Sequence, residues 1–72
     1  MISKSNKVGK NFGERVREAR KTLSISQEEL SFRTGLDRTY ISGIERGVRN
    51  PSLKNINKLA KALKVSVSSL FK

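Results

Sequence analysis

Residues 27–46 read QEELSFRTGLDRTYISGIER. Ser26, followed by Gln27, Glu28 and Glu29, is an N-cap with its capping-box carboxylate three residues on, so a helix starts at Gln27 and runs to about Thr34. Gly35 stops it. Asp37 is a second N-cap, and the next helix carries Ile41 and Ile44 on one side from Arg38 to Arg46, until Gly47 supplies its C-terminal stop. Two helices joined by so short a Gly-containing turn cross steeply, a geometry that lets the second project into a DNA major groove. Pointing Ile41 and Ile44 at a core turns Arg38, Thr39, Ser42, Gly43 and Arg46 outward. Those are the side chains with which such a helix would read bases.

On the N-terminal side, Phe12, Val16, Ala19 and Leu23 recur at spacings of four, three and four. They form one apolar stripe of an amphipathic first helix, with Glu14, Arg17, Glu18 and Lys21 on the other side. Order is expected to begin near Lys10, after a flexible basic arm over residues 1–9 (MISKSNKVG), which have no periodicity. On the C-terminal side, Gly47, Asn50 and Pro51 punctuate a loop. Ser52 caps a fourth helix with Leu53, Ile56, Leu59, Ala60 and Leu63 as its apolar stripe and Lys54, Lys58, Lys61 and Lys64 on the far face. Ser66 caps a last short turn bearing Val67, Leu70 and Phe71. Period-two alternation never extends far enough to suggest a strand. The expected fold is all-α, four to five short helices forming one domain over residues 10–72. Its core candidates are Phe12, Val16, Leu30, Ile41, Ile44, Leu53, Ile56, Leu59 and Leu63.

Composition narrows the function. A chain of 72 residues has room for one small core, and neither disulfide nor zinc can support it, because Cys and His are absent. The same absence, with carboxylates scattered over helices, leaves no nucleophile, base or metal set for an enzyme, and no cofactor is expected. The formal charge is +10, from 16 Lys and Arg against 6 Asp and Glu. All the acids lie between Glu14 and Glu45, and only bases follow Arg46. Such a surface favours a polyanion, since each neutralised phosphate releases condensed counterions, and a membrane surface or an acidic protein would fit the charge as well. The N-terminal residues hold no continuous apolar stretch, so neither a signal peptide nor a membrane partner is expected.

With these features in place, the sequence resembles the lambda-repressor and Cro-like helix-turn-helix family through FGERVREARK, SQEEL, LDRTYISGIERG and RNPSL, matched in order from about Phe12 to Leu70. Within it, LDRTYISGIERGVRNPS is most similar to the controller proteins of bacterial restriction-modification systems. The resemblance implies a cytoplasmic, bacterial or phage-encoded transcription regulator that binds paired operator half-sites in double-stranded DNA as a homodimer. RNA polymerase is a further candidate partner. An antitoxin-type or phage-repressor-like module that also holds a protein partner is the alternative. The resemblance also implies that Arg20 pairs with Glu45, a structural role.

Base contacts are assigned to Arg38, Thr39, Ser42 and Arg46, because bidentate Arg to guanine is the commonest specific readout and Thr can meet a thymine methyl. The competing reading of Arg38 is a solvated surface Arg, and Thr39 can equally satisfy the helix N-terminus. Gly43 leaves one base contact unmade and would allow close approach to DNA. Phosphate contacts are assigned to Gln27 at a helix N-terminus, to Tyr40 through its hydroxyl, and to Arg33, Arg49, Asn50 and Lys54. A charge run is usually a solvated face, so only some of these are expected to touch DNA. Val67, Leu70 and Phe71 are assigned to a dimer seam, the competing reading being a segment that only caps the core of its own chain. A two-fold dimer would place two recognition helices about 34 Å apart, one turn of DNA.

Overall fold

A computed structural model describes the backbone of residues 4–71 and the side chains of residues 11–71. Its elements are α1 (Lys4–Thr22), α2 (Gln27–Thr34), α3 (Arg38–Glu45), α4 (Leu53–Leu63) and a 3₁₀ turn at Ser68–Phe71. Local chemistry sets the boundaries of the last three helices. Ser26 Oγ accepts the Glu29 amide at 2.9 Å, an Asp37 carboxylate oxygen accepts the Thr39 amide at 3.0 Å, and Ser52 Oγ accepts the Asn55 amide at 3.2 Å. Each bond satisfies an amide that a helix start leaves without an internal partner. Gly35 ends α2 at φ 78°, a left-handed conformation that glycine adopts without a Cβ penalty.

α1 begins at Lys4 rather than near Lys10. Residues 4–9 of the expected arm are therefore helical, and residues 1–3 lie outside the described residues. Once the stripe from Phe12 to Leu23 nucleates the helix, each added residue gains a backbone hydrogen bond, and no proline interrupts the chain upstream.

Phe12, Val16, Leu30, Ile41, Ile44, Leu59, Ala60, Leu63 and Leu70 form the core. A fully buried aliphatic side chain contributes about 1.5–3 kcal/mol. α1 crosses the end of α3 at Gly13, where a Cβ would collide with the Ile44 carbonyl oxygen and lie 2.8 Å from that of Glu45. Only glycine permits this approach, and it sets the depth at which α3 sits against α1.

Two expectations about burial need correction. Leu53, expected in the core, is 70% exposed. It opens α4, ahead of the turn that meets the bundle, and the buried stripe runs instead from half-buried Ile56 to Leu63. Leu70, expected in a seam between subunits, is 1% exposed inside its own chain. The 3₁₀ turn is held by Ser66 Oγ accepting the Ser69 amide at 3.2 Å, and it folds Leu70 under the bundle while Val67 packs against its edge. Phe71 stays 48% exposed, with its ring 4.9 Å from that of Phe12, centroid to centroid.

Candidate nucleic-acid interface

α3 is anchored from behind. Glu45, 8% exposed, receives Arg20 in a two-pronged pair, Nε to Oε2 at 2.7 Å and Nη2 to Oε1 at 3.0 Å. The remaining guanidinium nitrogen, Nη1, donates to the Ile25 carbonyl at 3.0 Å, and Gln27 Nε2 donates to Glu45 Oε1 at 3.1 Å. The hydrogen bond to Glu45 outweighs desolvation and raises the Arg20 pKa above its ordinary value. Arg20 stability is thus fully present below that ordinary value and is lost only as the pH climbs above it. One carboxylate thereby ties the ends of α1 and α3 to the start of α2. Gln27, expected to hold a phosphate with its side chain, gives one Nε2 hydrogen to Glu45 and keeps the second for another acceptor.

The outward side of α3 carries Arg38 and Thr39 in its first turn, exposed, then half-buried Ser42 and exposed Arg46. The four assigned base readers therefore share one helix surface. Beside them opens a cleft of about 330 Å³ lined by Arg17, Arg20, Lys21, Gln27, Ser42, Glu45 and Arg46. Within this lining Arg20 is paired with Glu45, while Arg17 and Lys21 are exposed on α1. Sequence reasoning left Arg17 and Lys21 out of the site. They were within reach of it, because Arg17, Arg20 and Lys21 fall at i, i+3 and i+4 on one helix face. An Arg20–Glu45 pair turns that face toward α3.

Gly43 departs from expectation. It is buried rather than open to DNA. α3 ends in a Schellman turn, with Gly47 at φ 80°, its amide bonded to the Ile44 carbonyl at 3.0 Å, and the Val48 amide bonded to the Gly43 carbonyl at 2.9 Å. The turn brings the chain back so that Arg49 lies over Gly43, where a Cβ would stand 2.5 Å from Arg49 Cγ. The Arg49 guanidinium carbon is 5.9 Å from the centre of the Tyr40 ring. Tyr40 is fixed in turn by Asn55, whose Nδ2 donates to its hydroxyl at 3.0 Å and leaves the phenolic hydrogen available to an acceptor.

The other assigned phosphate residues divide. Asn50 and Lys54 are exposed in the loop and in the first turn of α4. Arg33 pairs with Glu29 at 2.8 Å and lines a separate depression with Thr34, Lys58, Lys61 and Ala62, on the side of α2 that meets α4. It does not line the cleft. Among the described residues no group of acidic residues could hold a metal ion, and no helix is long and apolar enough to cross a membrane.

Comparison with known proteins agrees with this geometry. Residues 16–70 match the family described as Helix-turn-helix. The chain is 51% identical over 67 residues to the control protein C.BamHI of Bacillus amyloliquefaciens, covering 92% of this chain and 83% of that one. Among solved structures, the restriction-modification controller protein C.AhdI from Aeromonas hydrophila superposes with a TM-score of 0.82 at 54% identity, over 85% of this chain and 92% of the other. The biofilm master regulator SinR, solved in complex with DNA, superposes at 0.81 with 35% identity over 85% of this chain and 98% of that one. These relatives bear the names of control, controller and master regulator proteins. The chain belongs to the helix-turn-helix family, as a transcription regulator of the restriction-modification controller type.

Proposed function

We propose that two copies of the chain bind a pseudo-palindromic operator, with α3 of each in the major groove of one half-site. The supporting observation is the convergence of Arg38, Thr39, Ser42 and Arg46 on one outward surface beside a basic cleft. In this arrangement Arg38, at the start of α3, reads a guanine, and Thr39 meets the neighbouring base. Arg17 and Lys21 hold the phosphates on one side of the groove. Lys54, Asn50 and the Tyr40 hydroxyl hold those on the other. The dimer seam is built on exposed Phe71 and the edge of Val67, with Leu70 stiffening the turn from beneath. The regulator works in the cytoplasm, and RNA polymerase is its neighbour at the promoter.

Selection of bound duplexes from a random double-stranded pool tests the reading, followed by titration of the winner against scrambled DNA at one salt concentration. The expected result is a palindrome with half-sites about one turn apart, bound about a thousandfold over scrambled DNA. Salt-sensitive binding with no consensus would overturn it.

A further inference from the structure

The mid-helix glycine of α3 has no local explanation. Gly43 lies inside a regular helix, has no positive φ and is a poorer helix former than the alanine that could replace it. Its explanation is non-local. The Arg49 side chain occupies the space above it, with Cγ 2.5 Å and Cβ 3.4 Å from where a Cβ on residue 43 would be. The contact involves the stem of Arg49 rather than its mobile tip, so an added methyl group cannot be accommodated by a turn of the guanidinium alone. The Arg49 backbone is fixed too, because the amides of Val48 and Arg49 both donate to the Gly43 carbonyl, at 2.9 and 3.2 Å. The guanidinium is steered by the Tyr40 ring one turn earlier on α3, and Asn55 holds that ring from α4.

We propose that Gly43 is a positioning residue for DNA specificity: its missing side chain is the seat on which Arg49 is laid along the recognition helix, where Arg49 reads a base. The inference rests on the operator reading above and moves Arg49 from the phosphate contacts to the base contacts. Positions 39 and 43 are one helical turn apart, so the Arg49 stem laid across Gly43, with its guanidinium beside Tyr40, extends the surface begun by Arg38 and Thr39. An ordinary side chain at position 43 would make one fixed contact from the helix itself. The glycine seat substitutes a longer, planar, five-donor group delivered from the following loop. The Tyr40 ring, 5.9 Å from the guanidinium carbon, limits its rotamers, and bidentate pairing with guanine O6 and N7 is the recognition it suits.

Parallel selections from a random duplex pool with the full-length wild type, Gly43→Ala and Arg49→Ala, each with its thermal midpoint, test the proposal. The expected result is that Arg49→Ala loses preference at one base pair of each half-site, by a factor of about 5 to 150. Gly43→Ala loses preference at the same base pair while its thermal midpoint shows that it is still folded at the temperature of the selection, and the double variant loses no more than Arg49→Ala. Arg49→Lys retains the charge but not the planar fork, and it loses the same preference without any change at residue 43. The proposal is overturned if Gly43→Ala keeps the wild-type consensus, or if Arg49→Ala weakens operator and scrambled DNA equally. A wild type that selects no consensus overturns the operator reading itself, and the inference with it.

Discussion

The two sides of α3 are built on opposite principles. The inner side carries Ile41, Ile44 and Glu45, all buried, and Glu45 alone accepts hydrogen bonds from two other elements of the fold. The outer side carries Arg38, Thr39 and Arg46, exposed to solvent. The contrast shows how a small domain divides labour within nine residues, Arg38 to Arg46. Interactions satisfied inside the chain set the pose of the helix, and polar groups on the outside are kept for a ligand. Substitutions on the inner side should therefore cost stability with little change in sequence preference. Those on the outer side should do the reverse.

Glu45→Ala is expected to break this division most severely. It leaves half-buried Arg20 without its counter-ion, and removing one partner of a buried pair costs up to about 3–5 kcal/mol. Urea denaturation measures the loss, and whatever protein still folds should select the wild-type consensus. A stable variant with an altered consensus would place Glu45 on the reading side. Gly13→Ala comes next, at about 1–3 kcal/mol, because a methyl group there meets backbone carbonyls of α3 that cannot rotate away. Its readout is the denaturation midpoint, and an unchanged midpoint would mean that α1 and α3 are free to separate.

Smaller effects sharpen the comparison from outside. Lys54→Ala should weaken operator and scrambled DNA alike and reduce the slope of log affinity against log salt by about one. Loss confined to the operator would make Lys54 a base contact. Lys64 ends α4 in the left-handed region at φ 59°, so Lys64→Gly should stabilise the fold by about 1 kcal/mol with DNA preference untouched. A lower thermal midpoint for that variant would show that its side chain contributes more than its backbone costs.

Much of this was legible in the sequence, for reasons that differ by region. The starts of α2, α3 and α4 were readable because Ser26, Asp37 and Ser52 act within three residues of themselves. The start of α1 was not, since its extent depends on propagation from the stripe downstream. Leu53 and Leu70 show where periodicity stops informing: both fit an apolar pattern, yet exposure was settled by which turn of α4 meets the bundle and by how the 3₁₀ turn folds back. In the candidate site, Arg38, Thr39, Ser42 and Arg46 followed from the position of Ile41 and Ile44 on the same helix. Gln27 and Gly43 did not, because their environments come from elsewhere in the chain. One hydrogen of the Gln27 amide goes to Glu45, 18 residues away, and the space at Gly43 is filled by Arg49 from the next loop. Arg17 and Lys21 were passed over because a charged helix face is ordinarily solvated, and only its orientation against α3 puts them in the lining of the cleft.

Titration of Arg38→Ala against the selected operator and a scrambled duplex, at one salt concentration, tests most directly whether the outer side of α3 reads sequence. Affinity for the operator should fall by about 1–3 kcal/mol, with discrimination lost at one base position, while affinity for scrambled DNA stays close to the wild-type value. An equal fall on both duplexes would contradict the assignment and reduce Arg38 to one more positive charge.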